Sequence, residues 1–294
     1  MENRIDKGAF IAAITAYTMW GFMPLFFRQL SGVPAMEIIA HRALWAVPLL
    51  CAIMALRRQL PEFWSAITSF KTLRWMALSA LLISGNWILY VWAVINGHIL
   101  ASSLGYYLNP LLNILVGTLF LGETLNRIQW TAVGIAVIGV LVLAVGEPGT
   151  LWISISLASL FCFYGVVRKF APVGAIPGLA VETTLLMPIA MFAAIWFAHD
   201  DTIRGWGSDG FTTTLLVAGG AITAIPLLLF ATAARRMPYS VIGFIQYIGP
   251  TISFLLGVFL YHEPLPDMRL ISFILIWTAL ILFSWDTIKK MRAM

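Results

Sequence analysis

The chain has 294 residues, of which 61% are hydrophobic and only 11% are charged, and its mean hydropathy is +0.91. A soluble domain carries about 25% charged residues, so this composition excludes a soluble globular protein. The net charge of +5 does not indicate a nucleic-acid partner, because the basic residues stand in short clusters between apolar runs.

Ten apolar runs follow one another along the chain, and each is long enough to cross a bilayer as a helix. Lipid offers no hydrogen-bond partners to open backbone, so helix is the only state expected for them. The first run lacks a convincing A-x-A cleavage site, and we expect it to be an uncleaved first span. The predicted spans are 8–29, 34–56, 72–96, 100–121, 127–146, 150–168, 176–198, 212–234, 240–261 and 268–286.

The basic residues predict the orientation of these spans. Of the 18 Lys and Arg residues, 14 fall on one side of the membrane and three on the other, and Arg42 lies inside a span. Because basic residues favour the cytoplasmic side, both termini are expected in the cytoplasm.

A segment of the fourth span recurs in the ninth, 140 positions later. The residues shared by Gly105–Glu123 and Ile245–Glu263 include Tyr, Pro, Gly and Glu, which indicates an internal duplication. The Glu that ends each copy lies at the interface, where we expect it to snorkel to a loop or cap the next helix. The recurring pairs are Tyr107 and Tyr247, Pro110 and Pro250, Leu115 and Leu255, Gly117 and Gly257, and Glu123 and Glu263.

The duplication divides the chain into two repeats of five spans, 8–146 and 150–286. Because five is an odd number, the repeats must be inverted relative to each other in the bilayer. Inverted repeats are typical of secondary transporters, whose substrate site lies near the midplane between the halves. The predicted fold is therefore an all-α integral membrane protein with ten transmembrane helices, arranged as two inverted five-helix repeats around a central cavity.

Two polar stripes occupy matched positions in the repeats. Tyr106, Asn109 and Asn113 share one helix face at i, i+3 and i+7, and their counterparts in the ninth span are also polar or small. We interpret the stripes as two walls of a substrate cavity, although such residues also serve helix–helix contacts in membranes. The counterparts are Gln246, Gly249 and Ser253.

The third span adds Asn86 and Tyr90, which share a face at i and i+4. Aromatic groups in the cavity would suit an amphipathic or cationic organic solute, through stacking and cation–π contact. Trp87 and Trp92 more often fill helix interfaces. Tyr247 is a weaker member of the predicted cavity, since its twin Tyr107 lies beside the polar stripe.

The second span holds a concentrated set of ionisable residues, Glu37, His41 and Arg42. Ionisable groups inside a membrane are functional candidates, and Glu and His at i and i+4 can meet and exchange protons. We predict a coupling or gating role for the three, with Glu182 as the corresponding acid of the seventh span. The alternative is structural, because Glu37 also stands in the first turn of its helix, where an acid suits the dipole.

Several kinds of chemistry have no motif here. No phosphate-binding G-x-x-x-x-G-K-[ST] loop is present, so ATP is not expected as the direct driver, and no metal or cofactor motif is found. Cys51 and Cys162 lie in apolar runs and predict no disulfide framework. The alternative to a transporter is an integral-membrane enzyme acting on a lipid-like substrate, for which only Glu37 and His41 approach a catalytic set.

The chain resembles the drug/metabolite transporter superfamily of EamA-repeat proteins, in particular its RarD branch, over essentially its whole length. The resemblance rests on seven segments: Trp20-Gly21, E-I-I-A-H-R-A-L-W at 37–45, G-N-W at 85–87, S-L-G-Y-Y-L-N-P at 103–110, L-G-E at 121–123, Y-G-V-V-R-K at 164–169 and Q-Y-I-G-P at 246–250.

The resemblance implies a ten-helix carrier of the bacterial inner membrane, with spans one to four and six to nine around the cavity. Relatives export amino acids, metabolites or drugs, and RarD-like proteins are named for an effect on chloramphenicol sensitivity. The implied partners are a small-molecule substrate and the lipid bilayer, with no nucleic acid, and a homodimer is allowed.

Overall fold

The computed structural model describes residues 7–120, 125–146, 148–199, 205–234 and 245–293, and within these ranges the chain is helical and contains no strand. Glu123 lies outside them. A π-helical turn, Leu256–Leu260, directly follows the helix Ile248–Leu255. The helices are α1 Lys7–Gly21, α2 Met23–Arg28, α3 Ala35–Leu56, α4 Leu60–Thr68, α5 Phe70–Ile95, α6 Ile99–Phe120, α7 Arg127–Gly146, α8 Pro148–Phe170, α9 Ala175–Ala198, α10 Gly210–Ala234, α11 Ile248–Leu255 and α12 Asp267–Ala293.

Eight helical segments in the described part of the chain are long and apolar enough to cross a membrane, and a shorter apolar one spans Ile248–Leu260. This confirms the all-helical, membrane-spanning class. The shorter segment stands where the ninth span is predicted, and α6 covers the fourth.

Two features differ from the predicted spans. The first span is broken into α1 and α2, where Pro24 stands in the first turn of α2 and has no N–H to continue the helix. The short helix α4 was not predicted. Its Phe63 and Ala66 pack inward, Trp64 is exposed, and the Gly174 N–H donates to Glu62 Oε1 at 2.7 Å. It therefore covers the start of α9.

The helices pack in pairs that bring distant parts of the chain together. α3 packs on α9 and α10, α5 on α8 and α9, α6 on α8 and α11, and α1 on α10 and α11. α7 and α12 pack on each other, and their other main contacts are with α6 and α8. Close approach depends on small residues. A Cβ on Gly220 of α10 would lie 2.4 Å from the Trp45 carbonyl carbon of α3.

Two buried clusters divide the interior. The inner cluster contains Phe27, Ile38, Tyr90, Val91 and Leu157, from α2, α3, α5 and α8. The lateral cluster contains Leu104, Tyr107, Phe254, Phe273 and Leu280, from α6, α11 and α12. Tyr106 packs against the inner cluster, while its neighbour Tyr107 belongs to the lateral one. The two faces of α6 thus serve different neighbours.

Candidate functional site

Arg42 is a charged group buried inside the fold, where its residue is only 3% exposed. It lies on the face of α3 that packs against α10, and its Nε donates to Thr223 Oγ1 at 2.8 Å. The guanidinium carbon stands 5.1 Å from the ring centroids of both Phe27 and Trp87. These contacts hold the guanidinium between two aromatic faces, which partly offsets its removal from water.

The Nη1 atom of Arg42 has no hydrogen-bond partner, although it is buried. No carboxylate among the described residues forms an ion pair with Arg42, and the ion pair found there joins Arg168 to Glu182. A buried guanidinium is normally paired, because an uncompensated charge away from water is costly. Arg42 is therefore a buried charge that has no ionic partner among the described residues.

A small cavity of about 10 Å³ adjoins Arg42, roughly the size of one water molecule. Four helices, α3, α5, α9 and α10, contribute to it. Its polar lining comes from Arg42, Thr183 and Thr223, and the rest of the wall is apolar. The apolar lining residues are Ala43, Ala46, Leu50, Trp87, Leu179 and Ala224.

Three predicted cavity residues, Asn86, Tyr90 and Tyr106, converge beside Arg42. The Tyr106 hydroxyl donates to Asn86 Oδ1 at 3.2 Å, and Asn86 Nδ2 donates to the Leu157 carbonyl at 3.1 Å. The Tyr90 and Tyr106 rings meet edge to face, with centroids 5.6 Å apart. Both phenol groups lie within electrostatic range of Arg42. Asn86 is completely buried, so it positions Tyr106 rather than facing open space.

The other predicted cavity residues do not join this group so closely. Asn109 is buried, and its Oδ1 has no hydrogen-bond partner. Gln246 is half-buried at the turn before α11. Tyr247 stacks on Tyr107, with centroids 6.2 Å apart, at the edge of the lateral cluster. The side chain of Asn113 lies outside the described part of the chain.

The contact between α6 and α11 runs along the neighbouring face of α6. The Ser103 hydroxyl donates to the Pro250 carbonyl at 2.7 Å, and the Tyr107 hydroxyl lies 2.6 Å from Thr251 Oγ1. The two helices that carry the predicted stripes therefore meet directly, through residues adjacent to the stripe on α6.

Glu37 and His41 do not hydrogen-bond to each other as predicted partners but bind the loop at 205–206. The Gly205 N–H donates to Glu37 Oε1 at 3.0 Å and to Oε2 at 2.9 Å, and the Trp206 N–H donates to Oε1 at 2.8 Å. The His41 ring stacks on Trp206, with centroids 4.7 Å apart, and neither of its ring nitrogens has a hydrogen-bond partner. The two side chains fix the segment that precedes α10.

Glu182 forms a second carboxylate contact, near the start of α9. The Ser79 hydroxyl of α5 donates to Glu182 Oε1, and Arg168 Nη1 lies 3.4 Å from the same oxygen. Arg168 also donates to the carbonyls of Gly174 and Ala175. The 24 residues of α9 span about 36 Å at 1.5 Å per residue. Glu182 lies near the start of α9, whereas Gly205 and Trp206, which donate to Glu37, follow the end of α9. The Glu37 and Glu182 contacts therefore lie toward opposite ends of the bundle.

Comparison with known proteins agrees with this architecture. The model of the EamA-like transporter family matches residues 7–145. An uncharacterized transporter of Pseudomonas aeruginosa is 42% identical over 291 residues, which cover 97% of this chain and 96% of that protein. The RarD protein of Salmonella typhimurium is 41% identical over 292 residues, which cover 99% of each chain. This chain belongs to the EamA-like transporter family, in its RarD branch.

Membership makes this RarD-branch protein a bacterial multi-pass membrane transporter of the drug/metabolite type. A solved crystal structure that is 19% identical has a similar fold, with a TM-score of 0.59 over 94% of this chain and 96% of the other.

In this RarD-branch chain, Glu263 caps α6, a helix that is distant from it in sequence. Its carboxylate accepts the N–H groups of Ile99 at 2.7 Å and Leu100 at 2.9 Å, in the first turn of α6. The expectation of a cap is correct in kind, but the capped helix precedes Glu263 by more than 160 positions instead of following it. Burial raises the pKa of the Glu263 carboxyl, while the two N–H groups and nearby Arg269 and Arg28 oppose the rise.

Sequence reasoning did not identify several residues around Arg42. Thr223 and Thr183 reach the cavity from α10 and α9, and Phe27 reaches the guanidinium from α2. Single Thr and Phe residues in apolar spans carry no signal of their own. Arg42 did carry one, since it is the sole Lys or Arg assigned to the interior of a predicted span.

Proposed function

We propose that this chain is a secondary transporter that exports small organic solutes by alternating access of two inverted five-helix halves, 8–146 and 150–286. Its ten spans lie in the bacterial inner membrane with both termini in the cytoplasm, as the Lys and Arg distribution predicts. The solute passes the central group around Arg42, which both halves contribute to.

The observation that carries this proposal is a reciprocal pair of carboxylate contacts. Glu37 of the first half holds the backbone before α10 of the second half. Glu182 of the second half accepts a hydrogen bond from Ser79, on α5 of the first half. α10 and α5 are the eighth and third spans, which correspond to each other in the duplication. Each half therefore contributes one carboxylate that binds the other half, and the two contacts lie at opposite ends of the bundle. Alternating access requires two such gates, which open in turn.

The helix pairing supports the same symmetry. In the proposed duplication, α1 corresponds to α8, α3 to α9, α5 to α10 and α6 to α11. Exchanging each helix for its counterpart converts the α3–α10 contact into α9–α5, the α1–α10 contact into α8–α5 and the α1–α11 contact into α8–α6, and all of these contacts are present. The α3–α9, α6–α11 and α7–α12 contacts each map onto themselves. Inverted repeats with this property rock against each other about a fixed central site.

Within this mechanism, Glu37 and His41 act as gating residues on the outer side and Glu182 acts as the inner one. Tyr90 and Tyr106 line the site with Arg42, and Asn86 positions Tyr106 there. Asn109 and Asn113 extend the site along α6, and Gln246 extends it at the turn before α11. Tyr247 supports the helix contact at the edge of the pathway. Solute specificity then resides in a few polar groups set among aromatic faces.

The test is export from sealed vesicles by the purified full chain. Vesicles are loaded with a defined mixture of amino acids, organic acids, their neutral amides and chloramphenicol, which is included because a relative is named for sensitivity to it. Mass spectrometry follows the external medium. Protein-dependent appearance of unmodified solute supports a transporter. Retention of every solute, or release only of chemically converted products, would contradict it, and the second result would indicate the membrane enzyme.

A further inference from the structure

We propose that Arg42 recognises the carboxylate of a small organic anion, so that the solute is an aromatic or otherwise apolar carboxylate. This inference rests on the proposed transport function, because it assigns the charge and shape of the solute to the same central site. The aromatic groups alone suit an amphipathic or cationic organic solute, and the guanidinium among them favours an amphipathic anion over the cation.

The first argument is the unpaired charge. Arg42 is buried in the centre of the fold, its Nη1 has no hydrogen-bond partner, and no described carboxylate pairs with it. Glu37 lies on the same helix, but its oxygens are occupied by the backbone of Gly205 and Trp206. A charge kept in this position is costly unless an anion compensates it at some stage of the cycle.

The second argument is the geometry around the free nitrogen. Arg42 lines the cavity together with Thr183 and Thr223, and a hydrogen bond to Thr223 fixes one edge of the guanidinium. The remaining edge is planar and matches the two oxygens of a carboxylate. The cavity of about 10 Å³ holds roughly one water, so a carboxylate enters only when α3 and α10 separate, as a gated site requires.

The third argument concerns the body of the solute. Phe27 and Trp87 cover the guanidinium, and Tyr90 and Tyr106 stand beside them. The remaining cavity wall is apolar. These surfaces favour an apolar or aromatic body attached to the anionic group, while the positive charge of Arg42 repels an ammonium ion. The site thus selects by charge at one end and by apolar contact at the other.

The experiment measures binding to the purified full chain in lipid nanodiscs by calorimetry. The probes are acetate, butyrate, benzoate and phenylacetate, each with its amide, and phenethylamine as the cation. For at least one pair, the carboxylate is expected to bind at least tenfold more tightly than its amide, and phenethylamine is expected to bind most weakly. Equal affinities, tighter binding of amides or amine, or binding of no carboxylate would overturn the proposal without any variant.

Variants then locate the charge. Arg42→Gln should abolish the preference for carboxylate over amide, and Arg42→Lys should retain a weaker preference, because it keeps the charge and loses the planar fork. Arg28→Gln is the matched control, since Arg28 also stands over an aromatic ring, Tyr261, but donates to the Ile95 carbonyl outside the cavity. Loss of the preference in Arg28→Gln, or its full retention in Arg42→Gln, would place the anion site elsewhere.

Flux separates this inference from the transport function. The same pairs are loaded into proteoliposomes. If carboxylates bind through Arg42 but do not cross the vesicle membrane, the anion site is supported and the transport function is refuted. Solutes that cross with no preference for carboxylates over amides would leave transport standing and refute the anion site.

Discussion

The Nε atom of Arg42 and the Oγ1 atom of Thr223 lie 2.8 Å apart, and this hydrogen bond joins α3 to α10 at the centre of the molecule. The two residues are 181 positions apart in the chain, one on α3 and the other on α10. Thr223 Oγ1 accepts from Arg42 and donates to the Gly219 carbonyl at 2.8 Å. One hydroxyl therefore orients the guanidinium and belongs to the wall of the cavity.

Replacing Thr223 by Ala should weaken both the fold and the site. The Arg42 Nε would lose its acceptor, and an unsatisfied buried donor costs about 1–3 kcal/mol of the free energy of unfolding. Thr223→Ser is the control, because it keeps the hydroxyl at the same position. Chemical denaturation in detergent measures both variants. Equal stability of Thr223→Ala and the original protein would show that the hydrogen bond does not hold Arg42.

Glu37→Gln should release the segment that precedes α10. The glutamine NH₂ group cannot accept a hydrogen bond, so the N–H groups of Gly205 and Trp206 would share one oxygen instead of two. Hydrogen bonds to charged groups contribute about 1.5–3 kcal/mol, which corresponds to roughly 10- to 150-fold faster hydrogen exchange at these amides when they open locally.

Asp209→Asn is the control in the same loop. Asp209 Oδ1 accepts the Thr212 N–H at 2.8 Å, and hydrogen bonding by the side chain of Thr212, and then by its backbone, lowers the pKa of the exposed Asp209 carboxyl. Its replacement should speed exchange at Thr212 and leave Gly205 and Trp206 unchanged. Unchanged exchange of these two amides in Glu37→Gln would contradict the assignment of Glu37 as a gating residue.

His41→Phe should preserve both stability and transport. The His41 nitrogens have no hydrogen-bond partners, and its stacking on Trp206 is the contact that phenylalanine reproduces. His41→Ala removes that stacking, which contributes about 0.5–1.5 kcal/mol beyond the buried area. Flux driven by a pH gradient is compared for the two variants. Loss of gradient-driven flux in a folded His41→Phe protein would instead identify His41 as a proton carrier.

Gly220→Ala should destabilise the contact between α3 and α10. Its Cβ would stand 2.4 Å from the Trp45 backbone carbon, which cannot move aside as a flexible side chain could, and such overpacking costs about 1–3 kcal/mol or more. Gly134→Ala in α7 is the control, because a Cβ there meets nothing within 4 Å. That change should stabilise the helix by about 0.5–1 kcal/mol. Similar thermal midpoints for both variants would refute the close α3–α10 contact.

Glu263 predicts a pH dependence of stability. Burial raises its pKa in the folded protein above the ordinary value of 4.5, so in the window just above pH 4.5 the folded state binds more protons than the unfolded state. Stability should therefore fall as the pH rises through that window. Glu263→Gln should remove this contribution, and Glu62→Gln, at an exposed carboxylate, should not. Identical pH profiles of the thermal midpoint in all three proteins would contradict the prediction.

The sequence predicted the parts of the molecule that are encoded locally. Long apolar runs specify membrane helices whatever they pack against, and the i, i+4 spacing of Asn86 and Tyr90 correctly placed both on one face. The helix Leu60–Thr68 was not predicted because its nine residues are too few to form a membrane-spanning apolar run. The break between α1 and α2 depends on Pro24, whose position within a long apolar run does not reveal whether a helix bends or stops.

The site itself depends on contacts between distant residues. Arg42 was grouped with Glu37 and His41 because they share a span, yet those two side chains reach the loop at 205–206 while Arg42 reaches α10. Thr223 and Phe27 could not be chosen from sequence, since their roles exist only once α10 and α2 meet α3. The aromatic residues suit an amphipathic or cationic solute when they are considered alone, and the proposal of an anion depends on the Arg42 guanidinium that lies over Phe27 and Trp87.

The most direct test of two alternating halves is a pair of distance measurements by double electron–electron resonance in nanodiscs. Spin labels at Ser31 and Ser208 report the proposed outer end, near Glu37, and labels at Ser65 and Pro172 report the proposed inner end, near Glu182, with Cys51 and Cys162 replaced by serine. Glu37→Gln should lengthen the outer distance and shorten the inner one, and Glu182→Gln should do the reverse. Distances that stay unchanged in both variants, or that move in the same direction at both ends, would contradict alternating access around Arg42.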